Sequence, residues 1–142
     1  MTSSTVPEKV RARIREEAGN RCGYCQVPQE IIPAPLEIEH LIPRVLGGSN
    51  DADNLWLACR MCNLYKRDRI HARDPQTRRQ VRLFNPREQR WSRHFRWSDD
   101  GTQVIGLPAC GRATVEALNL NNQYAVTARR NWVKAGLFPP TE

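Results

Sequence analysis

The 142-residue sequence has no apolar run near the ~18 residues that a membrane-spanning helix requires, and its N-terminus lacks the hydrophobic core of a signal peptide. These absences lead us to expect a cytoplasmic chain with no membrane association. No internal repeat and no low-complexity segment occurs, which excludes solenoid and fibrous architectures. Cysteines number only five, and four of them fall in two C-x-x-C pairs. In a compartment that keeps thiols reduced, such pairs are better read as a metal site than as disulfides. The length suits one compact domain with appendages and is too short for two independent cores.

Negative charge is also scarce: the formal charge is +7 and the sequence pI about 9.6. Such a balance suggests an anionic partner without identifying one. Its distribution says more. Residues 60–96 hold 12 Lys/Arg against 3 Asp/Glu, while the flanking parts are close to neutral. This run reads either as a solvated surface strip or as a phosphate-contacting one.

Along the chain, Thr5-Val6-Pro7-Glu8 resembles a capping box opening a helix over 5–19, with Val6, Val10, Ile14 and Ala18 on one apolar stripe and Gly19 as terminator. Cys22-Gly23-Tyr24-Cys25 forms a knuckle in which Gly23 eases the turn. Gln26–Pro35, with three prolines, reads as a loop. Leu36–His40 and Leu55–Ala58 alternate like paired strands around a connection rich in Gly, Asn and Asp. A helix is expected from Arg60 to about Ala72, broken by Asp74-Pro75, then one or two more helical turns over 77–83. Trp91–Trp97 and Val104–Leu107 suggest a β-hairpin with an aromatic face, and 111–120 and 121–135 two closing helices, the second carrying Tyr124, Ala128 and Trp132 at i+4 spacing.

Cys22, Cys25, Cys59 and Cys62 give C-x2-C-x33-C-x2-C, a spacing that lets each pair offer two thiolates to a tetrahedral Zn²⁺. A zinc-dependent fold gains ~10–16 kcal/mol from its ion, comparable to the ~5–15 kcal/mol stability of an ordinary domain. Four thiolates leave no place for a water, so this zinc is structural and any chemistry sits elsewhere. Cys110 has no such partner.

The stretch Glu39-His40-Leu41-Ile42-Pro43, Gly47-Gly48-Ser49-Asn50-Asp51, Asp53-Asn54, Cys59-Arg60-Met61-Cys62-Asn63 and Lys66 resembles the HNH nuclease family, closest over Arg21–Asp68. That resemblance implies an α+β fold: a ββα-metal core, here with a four-cysteine zinc and an N-terminal helix, followed by the hairpin and closing helices. It implies that His40 is the general base, that Asn54 braces the loop and orients it, and that Glu39 and Asn63 hold a catalytic Mg²⁺ or Mn²⁺. Lys66 matches a frequent family lysine that meets a phosphate, and Arg67, Arg60 and Arg44 are further candidates for the nucleic-acid backbone. Where the family commonly has Asp, this chain has Glu39, whose carboxylate reaches one methylene further.

The chemistry agrees with these residue types. Hydrolysis of a phosphodiester needs a group to take a proton from water, which imidazole does near neutral pH, and a cation to neutralise charge on the phosphate. Hard oxygens such as those of Glu39 and Asn63 suit Mg²⁺. One geometric condition follows. Neighbouring residues on a regular strand face opposite ways, so Glu39 and His40 can share a site only if the strand breaks at His40. Taken singly, His40 reads as a hydrogen-bonded structural histidine, Asn54 as a turn residue and Asn63 as a helix-start residue. His71 and His94 match no motif position.

The expected function is thus a metal-dependent endonuclease acting on DNA, with RNA also open. Two alternatives are a non-catalytic, zinc-stabilised nucleic-acid-binding module and a protein-interaction domain using the aromatic hairpin.

Overall fold

A computed structural model describes residues 6–141. It is a mixed α+β structure whose chain forms two compact units. The first runs to Ile70 and includes Asn85–Glu88; the second comprises His71–Phe84 and the chain from Gln89 onward. Residues 73–142, expected as part of one single domain, thus fall mostly in the second unit. No helix among the described residues is long and apolar enough to cross a membrane.

In the first unit, α1 (Glu8–Glu17) starts directly after Pro7, which makes no side-chain cap. Thr5, the expected capping residue, lies outside the described residues. Glu8 pairs with Arg15 and Arg11. The apolar stripe packs as its period requires: Val6, Ile14 and Ala18 are buried on Ile38, Leu55 and Leu57, with Val10 against them. Gly19 ends the helix at φ +66°, where a side chain would be strained.

Strands β1 (Glu37–His40) and β2 (Leu55–Ala58) pair antiparallel, with Glu37 opposite Ala58 and His40 opposite Leu55. Ile38 and Leu57, cross-strand partners, join the α1 cluster. Helix α2 (Arg60–Lys66) packs on β1. It stops six residues short of the expected Ala72, because Arg67 takes φ +57°. Arg69 then caps the freed carbonyls of Tyr65 (2.6 Å) and Lys66 (3.2 Å).

In the second unit the helix expected over 77–83 is replaced by a strand. Here β3 (His71–Arg73) and β4 (Gln80–Arg82) form an antiparallel ribbon. Asp74 decides this. Its carboxylate accepts from the amides of Gln76 and Thr77 and from the Thr77 hydroxyl, and its own amide donates to Arg79 O. The chain therefore reverses after β3 instead of winding onward. Beneath the turn, Asp74 is fully enclosed and held by Arg112 through two bonds of 3.0 and 2.9 Å. The guanidinium depresses the Asp74 carboxyl far below the ordinary carboxylate range.

Strands β5 (Phe95–Trp97) and β6 (Val104–Gly106) form the expected hairpin, although its first arm is shorter because Trp91–Arg93 makes a 3₁₀ turn. The aromatic face stacks on itself: Trp91 lies 5.1 Å from both Phe95 and Trp97, and Phe84 and Phe138 close the cluster edge-on at 5.0 and 4.9 Å. Helix α3 (Ala109–Ala117) covers β6 and the β3–β4 ribbon. Helix α4 (Gln123–Lys134) is capped by Asn122. Of the i+4 set, Tyr124 is 73% exposed, whereas Ala128 and Trp132 are half-buried and Trp132 packs on Phe138. Arg129 also turns inward and donates to Thr102 O and Leu120 O.

The Asp74–Arg112 pair has a pH signature. A carboxyl depressed by folding contributes stability that is complete above the ordinary Asp range near ~4 and is lost as pH falls through the depressed value. Asp74→Asn is therefore expected to be less stable than wild type at neutral pH, with the gap narrowing as the solution is acidified. Chemical denaturation followed by circular dichroism at several pH values measures this; a gap that is constant or widens toward acid contradicts it.

Candidate functional site

Cys22, Cys25, Cys59 and Cys62 present sulfurs all within 4.8 Å of one another, and Cys25 Sγ and Cys59 Sγ are 3.7 Å apart. A tetrahedral ion with Zn–S bonds of ~2.3 Å separates its sulfurs by about 3.8 Å, so the set fits zinc. Backbone amides already point at the sulfurs: Tyr24 N donates to Cys22 Sγ and Cys62 N to Cys59 Sγ, both at 3.4 Å. Thiols this crowded cannot all ionise unaided. Hydrogen bonding with Cys22, then with the other sulfurs, drives Cys59 down and pushes Cys25 and Cys62 up, a conflict that a dication removes.

The knuckle depends on glycine for a reason other than turning. Gln26, at φ +68°, makes the left-handed turn, whereas a Cβ on Gly23 would lie 2.4 Å from the Trp56 indole. Gly23 N also donates to Leu57 O at 2.9 Å, tying the knuckle to β2.

His40 stands at the end of β1. The strand stays regular through it, and Leu41 N extends the ladder to Asn54 O at 2.9 Å, so the expected break at His40 does not occur there. The chain leaves the ladder afterwards, where Asn54 clamps the loop. Its Oδ1 accepts from Ile42 N (2.9 Å), and its Nδ2 donates to Ile42 O (3.0 Å) and Ser49 O (2.9 Å). Gly48 is obligatory in this packing, since a Cβ there would lie 1.7 Å from Ile42 O.

The clamped loop delivers Asn50 to the imidazole, with His40 Nε2 2.7 Å from Asn50 Oδ1. An amide oxygen only accepts, so in this arrangement Nε2 carries the proton and Nδ1 keeps its lone pair. Nδ1 has no hydrogen-bond partner among the described residues and is not sealed from solvent.

Glu39 faces the other way. Only 2% exposed, its carboxylate accepts from the Tyr24 hydroxyl (2.7 and 3.0 Å) and pairs with Lys66 Nζ at 2.9 Å. Lys66, 3% exposed, also donates to Leu41 O and His40 O at 3.3 and 3.4 Å. Burial pushes the Glu39 carboxyl above its usual range although Lys66 and Tyr24 pull it down, and burial raises the Tyr24 hydroxyl well above its ordinary value, keeping it a donor. Asn63 does not meet Glu39. Its Nδ2 donates to Glu37 Oε1 at 2.9 Å, and Glu37 Oε2 takes Arg60 at 3.1 Å.

Residues 22–69 match the HNH endonuclease family. The matched segment is about a third of the chain and contains both knuckles, the clamped loop and α2. No curated protein and no solved structure matches the chain.

Of the HNH positions, the structure sets His40, at the end of β1, beside the loop that Asn54 clamps, but leaves Glu39 and Asn63 apart, each committed to a different partner. A divalent ion does not fit between them as arranged, because both Glu39 oxygens are occupied and the Asn63 amide is engaged by Glu37. Lys66, expected at a phosphate, is enclosed with Glu39 instead, since both side chains lie where α2 covers β1. Arg60, Arg44 and Arg67 are all exposed, Arg60 in an ion pair with Glu37. Sequence reasoning missed Asn50, Tyr24 and Glu37. Tyr24 carried a signal in its place between two ligand cysteines; Asn50 and Glu37 carried none that spacing would select.

Two measurements probe the HNH segment. Purified protein is expected to hold one zinc per chain by elemental analysis, and Cys62→Ser to lose both the ion and its cooperative thermal transition; a fully folded, zinc-free variant would contradict the clip. Glu39→Gln should lower stability by about 3–5 kcal/mol, because it leaves the Lys66 ammonium buried without its carboxylate. A Glu39 that serves as an open ligand would instead tolerate Gln with little change in Tm.

Proposed function

We propose that this protein is an HNH-type endonuclease that hydrolyses phosphodiester bonds in DNA, with His40 as general base. The observation that supports this reading best is the His40–Asn50 pair: an asparagine-clamped loop sets the Nε2–H tautomer and leaves an accessible Nδ1 lone pair. Nδ1 takes a proton from water as that water attacks phosphorus in line with the leaving oxygen, and Asn50 accepts from the ring N–H as the imidazolium forms. Asn54 acts through the loop and not on the substrate.

Family precedent calls for Mg²⁺ or Mn²⁺, held by Glu39 and Asn63. In the arrangement described those side chains do not form a site for such an ion, so no step is assigned to it. Exposed Arg44 and Arg67 are the cations we assign to backbone phosphates; a cytoplasmic setting keeps the four sulfurs reduced for zinc.

The closed Glu39–Lys66 pair favours a second reading, a zinc-stabilised nucleic-acid-binding module without turnover. A plasmid-nicking assay with Mg²⁺ or Mn²⁺ separates the two. Under the first, His40→Ala lowers nicking by about 100-fold or more, and Asn50→Ala lowers turnover more than it weakens DNA binding. Wild-type protein no more active than His40→Ala, across metals and substrates, removes the nuclease reading; binding that is salt-sensitive and indifferent to His40→Ala would then support the module.

A further inference from the structure

The basic run from Arg60 to Arg96 is not one uniform strip, because several of its cations are engaged by other groups of the protein. Arg60 serves Glu37, Lys66 serves Glu39, and Arg69 caps α2. Arg87 binds Leu55 O and Glu17 and lies 4.9 Å over the Trp56 ring. The β3–β4 ribbon is different. Its residues 71–82 hold four arginines and one acid, and that acid, Asp74, is enclosed and neutralised by Arg112. The outer side therefore carries Arg73, Arg78, Arg79 and Arg82, all exposed. Among the described residues, none of the four has a carboxylate within ion-pair distance.

The register sorts these side chains. His71 pairs with Arg82 and Arg73 with Gln80, so all four lie on one exposed face, while the Ala72–Val81 pair lies on the half-buried face of a ribbon packed against α3. Arg78, at φ +68°, and Arg79 stand at the turn. Like charges along a two-stranded ribbon repel, and among the described residues no carboxylate pairs with them. A polyanion would. The major groove of B-form DNA, about 12 Å wide, admits a two-stranded ribbon without deforming the duplex, whereas the minor groove at about 6 Å takes one only when it is widened, and the deep, narrow major groove of A-form RNA does not admit one. Arg and Gln are also the side chains that make two-point contacts with guanine and adenine edges.

We propose that the β3–β4 ribbon is the duplex-reading element of this protein. It enters the DNA major groove with His71, Arg73, Gln80 and Arg82 toward the base edges and Arg78 and Arg79 on flanking phosphates. The inference rests on DNA being the partner, as in the proposed function, but not on the chemistry of His40.

The test uses the full zinc-loaded chain carrying His40→Ala, so that binding is measured without cleavage, by fluorescence anisotropy on short duplexes over a range of salt. Arg78→Gln/Arg79→Gln is expected to flatten the slope of log K against log salt by roughly 0.9 per lost phosphate contact. DNA whose cytosines carry glucosylated hydroxymethyl groups, which fill the major groove, should bind about tenfold more weakly than plain DNA. Arg73→Gln/Arg82→Gln should lose most of that discrimination, and Arg73→Lys/Arg82→Lys should keep the salt slope while losing it too. Circular dichroism confirms that each variant is folded. Binding that ignores groove filling, variants that bind as their parent does, or equal affinity for duplex RNA or anionic vesicles each overturn the proposal. Ribbon-dependent binding by a protein whose wild type never cuts DNA supports it while removing the nuclease reading; cleavage with no ribbon dependence of binding overturns this inference alone.

Discussion

Everything in the first unit hangs on two cysteine knuckles meeting across the β1–β2 hairpin. Sulfur by itself resists this arrangement, because neighbouring thiolates repel; a dication turns the same crowding into a bond worth as much as an ordinary domain's stability. The consequence is directional. The first knuckle is pinned to β2 through Gly23 and Trp56, and the second opens α2, so an ion held by the four sulfurs would tie the start of α2 to β2. Tyr24, inside the first knuckle, then reaches Glu39, and Lys66 at the end of α2 closes on the same carboxylate.

That buried triad and the Asn54-clamped loop occupy opposite sides of one strand. Regular pleating through His40 sends Glu39 inward and the imidazole outward. Lys66 bridges the two sides by donating to the carbonyls of His40 and Leu41. Asn54 takes over where the ladder ends, using all of its amide to hold the loop that carries Asn50. The loop's conformation thus depends on hydrogen bonds from the Asn54 amide to its backbone, and its contact with the imidazole is a single side-chain pair, His40 to Asn50.

Charge follows the same division between internal and external use. In the first unit most cations of the basic run satisfy carboxylates or helix-end carbonyls, and of the expected phosphate contacts Lys66 is enclosed, Arg60 is exposed but paired with Glu37, and Arg44 and Arg67 are exposed. In the second unit Asp74 and Arg112 neutralise each other below the ribbon, leaving its outer arginines uncompensated. Net charge could not separate these cases, since an arginine paired with a carboxylate and one facing solvent count equally in a sequence.

The features legible in the sequence were those set by short-range covalent spacing. Two C-x-x-C pairs specify a ligand set whatever lies between them, the i+4 stripe of Val6, Val10, Ile14 and Ala18 specifies a buried helix face, and Leu36–His40 and Leu55–Ala58 announce a strand pair by alternation. Local signals failed where a distant partner overrode them. Residues 77–83 look helical until Asp74 is held by Arg112, 38 positions away. Glu39 and Lys66 look like a metal ligand and a phosphate contact until α2 closes over β1 and buries them together. The sequence alone determined that this chain carries a sulfur clip beside an HNH-like histidine loop; only the tertiary structure decided which polar groups around that loop face the solvent, because burial depends on what packs above a residue and not on its neighbours in the chain.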